Sequence, residues 1–250
     1  MKLSVCTDAV FANLPLEEAC SKVLELGYEA IEFWLPTGKN LDRLREIMSR
    51  TGLKVAAICT DFISLTDPAQ RNDYHAALER TVATAKMLGC GTIISQVGSE
   101  LDTERFLQHQ SIVDGLKNCA GLLEDNGIRL AVEPLNLRVD HKGYYLSGSD
   151  ECADIIEEVG SDNVRMLFDI YHQQITEGDI IRRIRQYIPY IAHFHSAGNP
   201  GRHELFNSEL DYKRVFRAIE DTGYSGYVGL EDFPEDSVEK GLAFAKSICP

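Results

Sequence analysis

The sequence predicts a single parallel, eight-stranded (β/α)8 TIM barrel of the α/β class over residues 1–250. Three observations carry this. Short β-branched or aromatic runs alternate from end to end with longer amphipathic stretches, the pattern of repeated βα units. The runs number eight. The length of 250 residues matches the roughly 250 typical of eight such units. An open doubly wound sheet is the rival, and it often carries a Gly-rich phosphate loop after its first strand. Here Thr7–Leu14 holds no glycine.

The elements follow in order. Strand one is Leu3–Cys6, and Leu16–Leu26 is an amphipathic helix stopped by Gly27. Strand two is Ala30–Trp34, followed by a helix at Leu41–Thr51 and Gly52. Strand three is Lys54–Cys59, followed by Asn72–Leu88 and Gly89. Strand four is Thr92–Val97, with Thr103–Asn126 and Gly127 behind it. Strand five, Arg129–Glu133, leads into Leu135–Ser149, the longest stretch without periodicity, read as a functional loop rather than a domain boundary. A helix at Asp150–Val159 and Gly160 then precedes strand six, Arg165–Ile170. Asp179–Tyr187 leads to strand seven, Tyr190–His195, and Tyr212–Thr222 with Gly223 to strand eight, Tyr227–Glu231. A glycine just past an amphipathic run is a helix stop signal.

Composition sets bounds on function. Lys and Arg total 25 against 39 Asp and Glu, a formal charge of −14. Nucleic acids and anionic membranes bind basic surfaces, so neither is an expected partner. No apolar run approaches the roughly 18 residues of a membrane span, and the first residues lack a signal-peptide pattern. The seven cysteines are scattered and never spaced CxxC. They read as reduced packing residues, and the expected location is cytoplasmic.

Chemistry is sought where barrel strands end, because that rim carries the active site. Four consecutive strands finish on Glu133, Asp169, His195 and Glu231, at intervals of 36, 26 and 36 residues. Alternation puts Ala131 on the face of Glu133, Leu167 on that of Asp169 and Gly229 on that of Glu231. Val132, Phe168, Val228 and Leu230 then face the helices. A lone strand-end carboxylate is often a helix cap or a surface ion pair, but four at equivalent positions weaken that reading. Three carboxylates in one small space repel one another, which raises a pKa or demands a cation. A divalent metal held by Glu133, Asp169, His195 and Glu231 meets the demand. The oxygen-rich set suits Mg²⁺ or Mn²⁺, and the imidazole leaves Co²⁺ or Zn²⁺ open. No organic cofactor is expected.

Other residues border the rim. His193 shares the inward face of His195 and is deeper, so it reads as a hydrogen-bonded core histidine. His172, three residues past Asp169, is placed in the loop over the mouth, where it bonds a substrate oxygen or is simply exposed. Arg202 sits in Gly198–Glu204, a loop shaped by two glycines and a proline. It is placed to clamp a substrate carboxylate or hydroxyl, or else to pair with Glu204. Trp34 is a candidate apolar wall of the substrate pocket or a plain core residue. His75 and His109 are placed on solvated helix faces, and His141 in the long loop has no assignment.

The phrases Val-Glu133-Pro-Leu-Asn136, Phe-Asp169-Ile-Tyr-His172-Gln, His-Phe-His195-Ser-Ala-Gly-Asn-Pro-Gly-Arg202-His-Glu and Tyr-Val-Gly-Leu-Glu231 resemble the xylose-isomerase-like superfamily of barrels. Within it the chain is most similar to the hydroxypyruvate isomerase family, which includes 2-oxo-tetronate isomerases. Asp140-His-Lys-Gly-Tyr-Tyr-Leu-Ser and Pro-Gly-Arg-His-Glu carry the narrower match. The resemblance implies a metal on Glu133, Asp169, His195 and Glu231, with Glu133 and Glu231 as acid and base. It also implies substrate contacts from His172 and Arg202, and it leaves room for a homo-oligomer. One position departs: many hydroxypyruvate isomerases have Gln where this chain has His195, and ketose 3-epimerases typically have His.

The expected activity is therefore a metal-dependent aldose–ketose isomerisation of a small hydroxy-carbonyl acid through an enediolate. Hydroxypyruvate, yielding tartronate semialdehyde, and a 2-oxo-tetronate are the candidate substrates. A ketose 3-epimerase acting on free sugars is the alternative. A phosphodiesterase like endonuclease IV is remote, because it needs histidines at early strand ends, and Thr7, Trp34, Thr60 and Gln96 stand there. A sugar-binding barrel without catalysis is weighed against by the glutamate pair.

Overall fold

Every apolar run becomes a strand, because β-branched and aromatic residues suit a parallel sheet covered on both faces. The computed structural model describes all 250 residues. The strands are β1 (Lys2–Cys6), β2 (Ala30–Phe33), β3 (Lys54–Cys59), β4 (Thr92–Ser95), β5 (Arg129–Val132), β6 (Val164–Asp169), β7 (Ile191–Ser196) and β8 (Tyr227–Leu230). They pair in sequence order, all parallel, and β8 closes the barrel against β1.

The helices are α1 (Thr7–Val10), α2 (Leu16–Glu25), α3 (Leu41–Thr51), α4 (Arg71–Met87), α5 (Arg105–Asn126), α6 (Ser149–Val159), α7 (Ile170–Thr176), α8 (Ile180–Tyr187), α9 (Tyr212–Glu220) and α10 (Val238–Ile248). Two of these, α1 and α7, have four and seven residues, too few for a helical period to show in a sequence. The second corrects the expectation for His172. It lies in the first turn of a helix, fully buried, and not in a loop.

The expected facing of the strands holds. Val132, Phe168, Val228 and Leu230 join the large core between strands and helices. The barrel interior holds a small separate cluster of Ala57, Cys59, Ile94, Ala131 and Leu167. This cluster leaves inner space for the polar groups of β1, β2 and β7, namely Ser4, Glu32, His193 and His195. Glu133 and Glu231 lie one residue beyond their strands, yet each still donates its backbone N–H across the rim, to Ser95 and Ser196 at 3.0 Å. The long segment after β5 packs onto the barrel mouth. Tyr144 Oη accepts from the N–H of Val97 at 2.7 Å and donates to the carbonyl of Glu133 at 3.1 Å. All seven cysteines are free thiols and six are buried. No helix is long and apolar enough to cross a membrane.

Candidate active site

Glu133, Asp169, His195 and Glu231 converge at the C-terminal rim, all buried, with ligand atoms within 4.8 Å of one another. Each carboxylate has at least one oxygen held by the protein, and Glu231 has both. Glu133 Oε2 accepts from Gln96 Nε2 at 2.9 Å, leaving Oε1 at 3.7 Å from His195 Nδ1. Glu231 Oε1 accepts from the indole N–H of Trp34 at 2.7 Å, and its Oε2 meets Arg202 and lies 3.3 Å from His195 Nδ1. Asp169 caps α7 with Oδ1, which accepts from the N–H of Tyr171 at 2.7 Å and of His172 at 3.3 Å. Its Oδ2 faces Arg202 at 3.9 Å. Trp34 is thus more than the expected apolar wall, since its polar edge orients a candidate acid–base group.

Charge balance governs protonation. Burial disfavours the imidazolium of His195, but the carboxylates of Glu231 and Glu32 outweigh it and hold its pKa well above the ordinary value. Burial likewise opposes ionisation of Glu231, and the charges of His195 and Arg202 reverse this and hold it well below the carboxylate range. Asp169 is pushed upward, mainly by burial.

Glu32, in the middle of β2, escaped the sequence reading. Glu32 is 1% exposed, and its carboxylate lies against both inward histidines, at 2.8 Å from His193 Nε2 and 3.2 Å from His195 Nε2. Burial again opposes its charge, and the two imidazoles win, drawing its pKa down to about 2. The available signal was a carboxylate inside the run Ala-Ile-Glu-Phe, where a buried charge must have a partner. His193 is the hydrogen-bonded core histidine expected.

His172 borders the cavity, and its tautomer is determined. Its Nδ1 faces two donors, the side-chain amide of Asn136 at 2.7 Å and the backbone N–H of Asn136 at 3.4 Å. Its proton therefore sits on Nε2, a buried atom without a hydrogen-bond partner. Burial, with Arg202 nearby, draws its pKa down to about 3, so the ring is a neutral donor. Asn136 and Gln96 are further site residues whose roles the sequence did not disclose.

Arg202 faces the site as expected, and its partner is Glu231 rather than Glu204. Its backbone is left-handed, with φ of 61°, rare for a side chain this large. The loop sustains this by tight local closure. Gly198 donates to the carbonyl of His203 at 2.7 Å, and a Cβ at Gly198 would lie 2.5 Å from the carbonyl oxygen of Glu204. Glu204 instead caps the approach to α10, accepting from the N–H groups of Glu235, Asp236 and Ser237 at 3.1, 2.9 and 2.9 Å.

A cavity of about 530 Å³ opens above the cluster. Its polar end holds Glu133, His172, His195, Arg202 and Glu231, and its apolar wall includes Trp34, Phe62 and Phe233. The donor set fits a divalent cation. The Nδ1 atom of His195 is buried with no hydrogen-bond partner and points between two carboxylates, the environment in which a cation replaces the imidazolium proton.

Comparison with known proteins agrees with this architecture. A 2-oxo-tetronate isomerase from Cupriavidus necator is 30% identical, over 88% of this chain and 88% of its own length. A hydroxypyruvate isomerase from Escherichia coli K12 is 25% identical, over 97% of each chain. Among solved structures, one described as AP endonuclease, family 2, from Brucella melitensis superposes with a TM-score of 0.94, at 25% identity over the whole of both chains. The family model for the xylose isomerase-like TIM barrel matches residues 20–248, and the chain belongs to that family.

Proposed function

We propose that this isomerase acts on a small hydroxy-carbonyl acid, hydroxypyruvate or a 2-oxo-tetronate, by proton transfer between Glu133 and Glu231. One observation carries the reading. The two glutamates come from β5 and β8, which are not neighbours in the barrel, and each has one oxygen anchored by Gln96 or Trp34. They can therefore flank one substrate from two sides. Glu133, Asp169, His195 and Glu231 would hold a divalent ion, Mg²⁺ or Mn²⁺ by their oxygen-rich character, with Co²⁺ or Zn²⁺ open to the imidazole. When bound, such an ion acidifies the carbon-bound proton beside a carbonyl.

The protein's own groups do the rest. One glutamate takes the proton from the hydroxyl-bearing carbon, and the C–H electron pair moves into an enediolate. The hydroxyl proton passes to the former carbonyl oxygen, so the hydroxyl-bearing carbon becomes the new carbonyl. The other glutamate, protonated from solvent, delivers its proton to the former carbonyl carbon and ends ionised. The first glutamate returns its proton to solvent. His172, neutral and protonated at Nε2, donates to a substrate oxygen. Arg202 contacts the substrate with the guanidinium edge not used by Glu231, and Trp34 and Phe233 exclude water from one side.

A second reading, a ketose 3-epimerase, draws on two features. The cavity of about 530 Å³ lies in the range of about 300–1,000 Å³ that houses larger ligands, and Arg202 is already paired with Glu231. Phosphodiester cleavage is disfavoured by the net charge of −14. The deciding experiment is solvent deuterium wash-in on hydroxypyruvate, 2-oxo-tetronates and free ketoses, each with Mg²⁺ and Mn²⁺. It is run on the wild type, Glu133→Gln and Glu231→Gln. Near-wild-type turnover by either variant refutes the two-glutamate assignment, and exchange confined to free ketoses selects the epimerase.

A further inference from the structure

We propose that Glu32 is the positioning residue of the site, holding His195 so that its Nδ1 lone pair faces Glu133 and Glu231. This rests on the reading of His195 as a metal ligand. A carboxylate accepts only, so the short contacts at Oε2 require His193 and His195 each to donate from Nε2, at 2.8 and 3.2 Å. With one proton committed at Nε2, the proton that a cation displaces from the imidazolium is the one on Nδ1, leaving that nitrogen as the ligand atom. The second carboxylate oxygen is pinned independently, accepting from Ser4 Oγ at 3.0 Å.

The barrel is built around this contact. Gly229 is the β8 partner of His195, and a Cβ there would lie 1.8 Å from Glu32 Oε1 and 2.8 Å from His195 Cδ2. The absent side chain is the space in which the carboxylate reaches the ring. Packing alone does not account for a charge at this depth, since an apolar residue would fill β2 without the desolvation cost. A carboxylate behind a ligating histidine sets the ring's orientation and raises its basicity.

The test reads binding of Mn²⁺ alone, by the electron spin resonance signal of the free ion. Glu32→Gln keeps the volume and one acceptor oxygen but loses the charge, and Mn²⁺ affinity should fall about ten- to a hundredfold. Glu32→Ala should fall at least as far. Ser4→Ala, which leaves the ring contacts intact, should stay within about threefold of wild type. In the Zn²⁺-loaded wild type, ¹⁵N spectra should show a protected proton on His195 Nε2, lost in Glu32→Ala. Thermal unfolding of each metal-free variant identifies any that fails to fold. Folded Glu32 variants that bind Mn²⁺ like wild type, or a wild-type proton on Nδ1, overturn the proposal. His195→Ala separates the two levels. If it abolishes Mn²⁺ binding while the Glu32 variants do not weaken it, only the role of Glu32 falls. If it leaves binding unchanged, the metal-site reading itself falls.

Discussion

Asn136 determines which nitrogen of His172 carries the proton. Its amide oxygen accepts from the N–H groups of Val139 and Asp140 at 3.0 and 3.2 Å, so its Nδ2 must be the end facing the imidazole. That Nδ2 donates to Asp140 Oδ2 at 2.6 Å and to His172 Nδ1 at 2.7 Å. Asp140 in turn accepts from Tyr171 Oη at 3.0 Å. The long segment after β5 thus reaches the reaction chamber through a chain of hydrogen bonds.

Asn136→Asp should invert this tautomer. A carboxylate beside Nδ1 accepts rather than donates, drawing the proton to Nδ1 and leaving Nε2 bare, 3.5 Å from Asp169 Oδ2. The loss of one directed donor should lower kcat/KM by about tenfold to a hundredfold, and ¹⁵N spectra of His172 should show the shift. Unchanged kcat/KM would remove His172 from substrate binding.

Trp34→Phe keeps the aromatic wall and removes only the N–H that holds Glu231 Oε1 at 2.7 Å. A hydrogen bond to a charged group contributes about 1.5–3 kcal/mol. The expectation is a loss of about tenfold or more in kcat with a small change in KM, read from steady-state kinetics. A change confined to KM would make Trp34 a wall only.

Arg202→Ala removes a cation that touches Glu231 and lies 3.9 Å from Asp169. All substrates should slow, because Glu231 loses a partner. Acids should lose about tenfold more than neutral ketoses, through the missing charge-assisted contact. Equal losses across the substrate panel would place Arg202 in support of Glu231 alone.

Gly229→Ala forces a Cβ to within 1.8 Å of Glu32 Oε1. Overpacking of this kind costs about 1–3 kcal/mol, to be seen as a lower midpoint in denaturant unfolding. Mn²⁺ affinity should fall with it as the His195 contact is disturbed. A midpoint equal to wild type would show that the floor of the barrel yields easily.

Glu204→Gln tests the joint between the Arg202 loop and α10. Burial pushes the Glu204 carboxyl up, but four backbone N–H groups, its own and those of Glu235, Ser237 and Asp236, outweigh it and hold the carboxyl below its ordinary value. A depressed carboxylate stabilises the fold above its unfolded value and loses that contribution as pH falls through the folded one. The variant should be less stable by about 1 kcal/mol near pH 7, with the gap to wild type closing below about pH 4. Thermal unfolding at the two pH values checks both the size and the sign.

Much of the barrel was legible because its signals are local. Lys54–Cys59 and Leu41–Thr51 form as read, since five apolar residues after a lysine and an amphipathic stretch of eleven closed by glycine need no distant information. Glu133, Asp169, His195 and Glu231 were legible through the same locality joined to one rule, that parallel barrels present strand ends at a single rim. The helix carrying His172 was not, because seven residues cannot display a period and its start depends on the side chain of Asp169 acting as a cap.

What the sequence by itself determined is therefore the eight-unit order, the inward or outward facing of strand residues and the four strand-end positions that converge at the rim. The tertiary structure decided the pairings among polar groups. Glu32 meets histidines 161 and 163 residues away, and Trp34 meets Glu231 at a separation of 197. Those contacts follow from the stagger and closure of the barrel, which set the height at which each inward residue lies. Periodicity says which way a side chain points, but only the closed ring says what it meets.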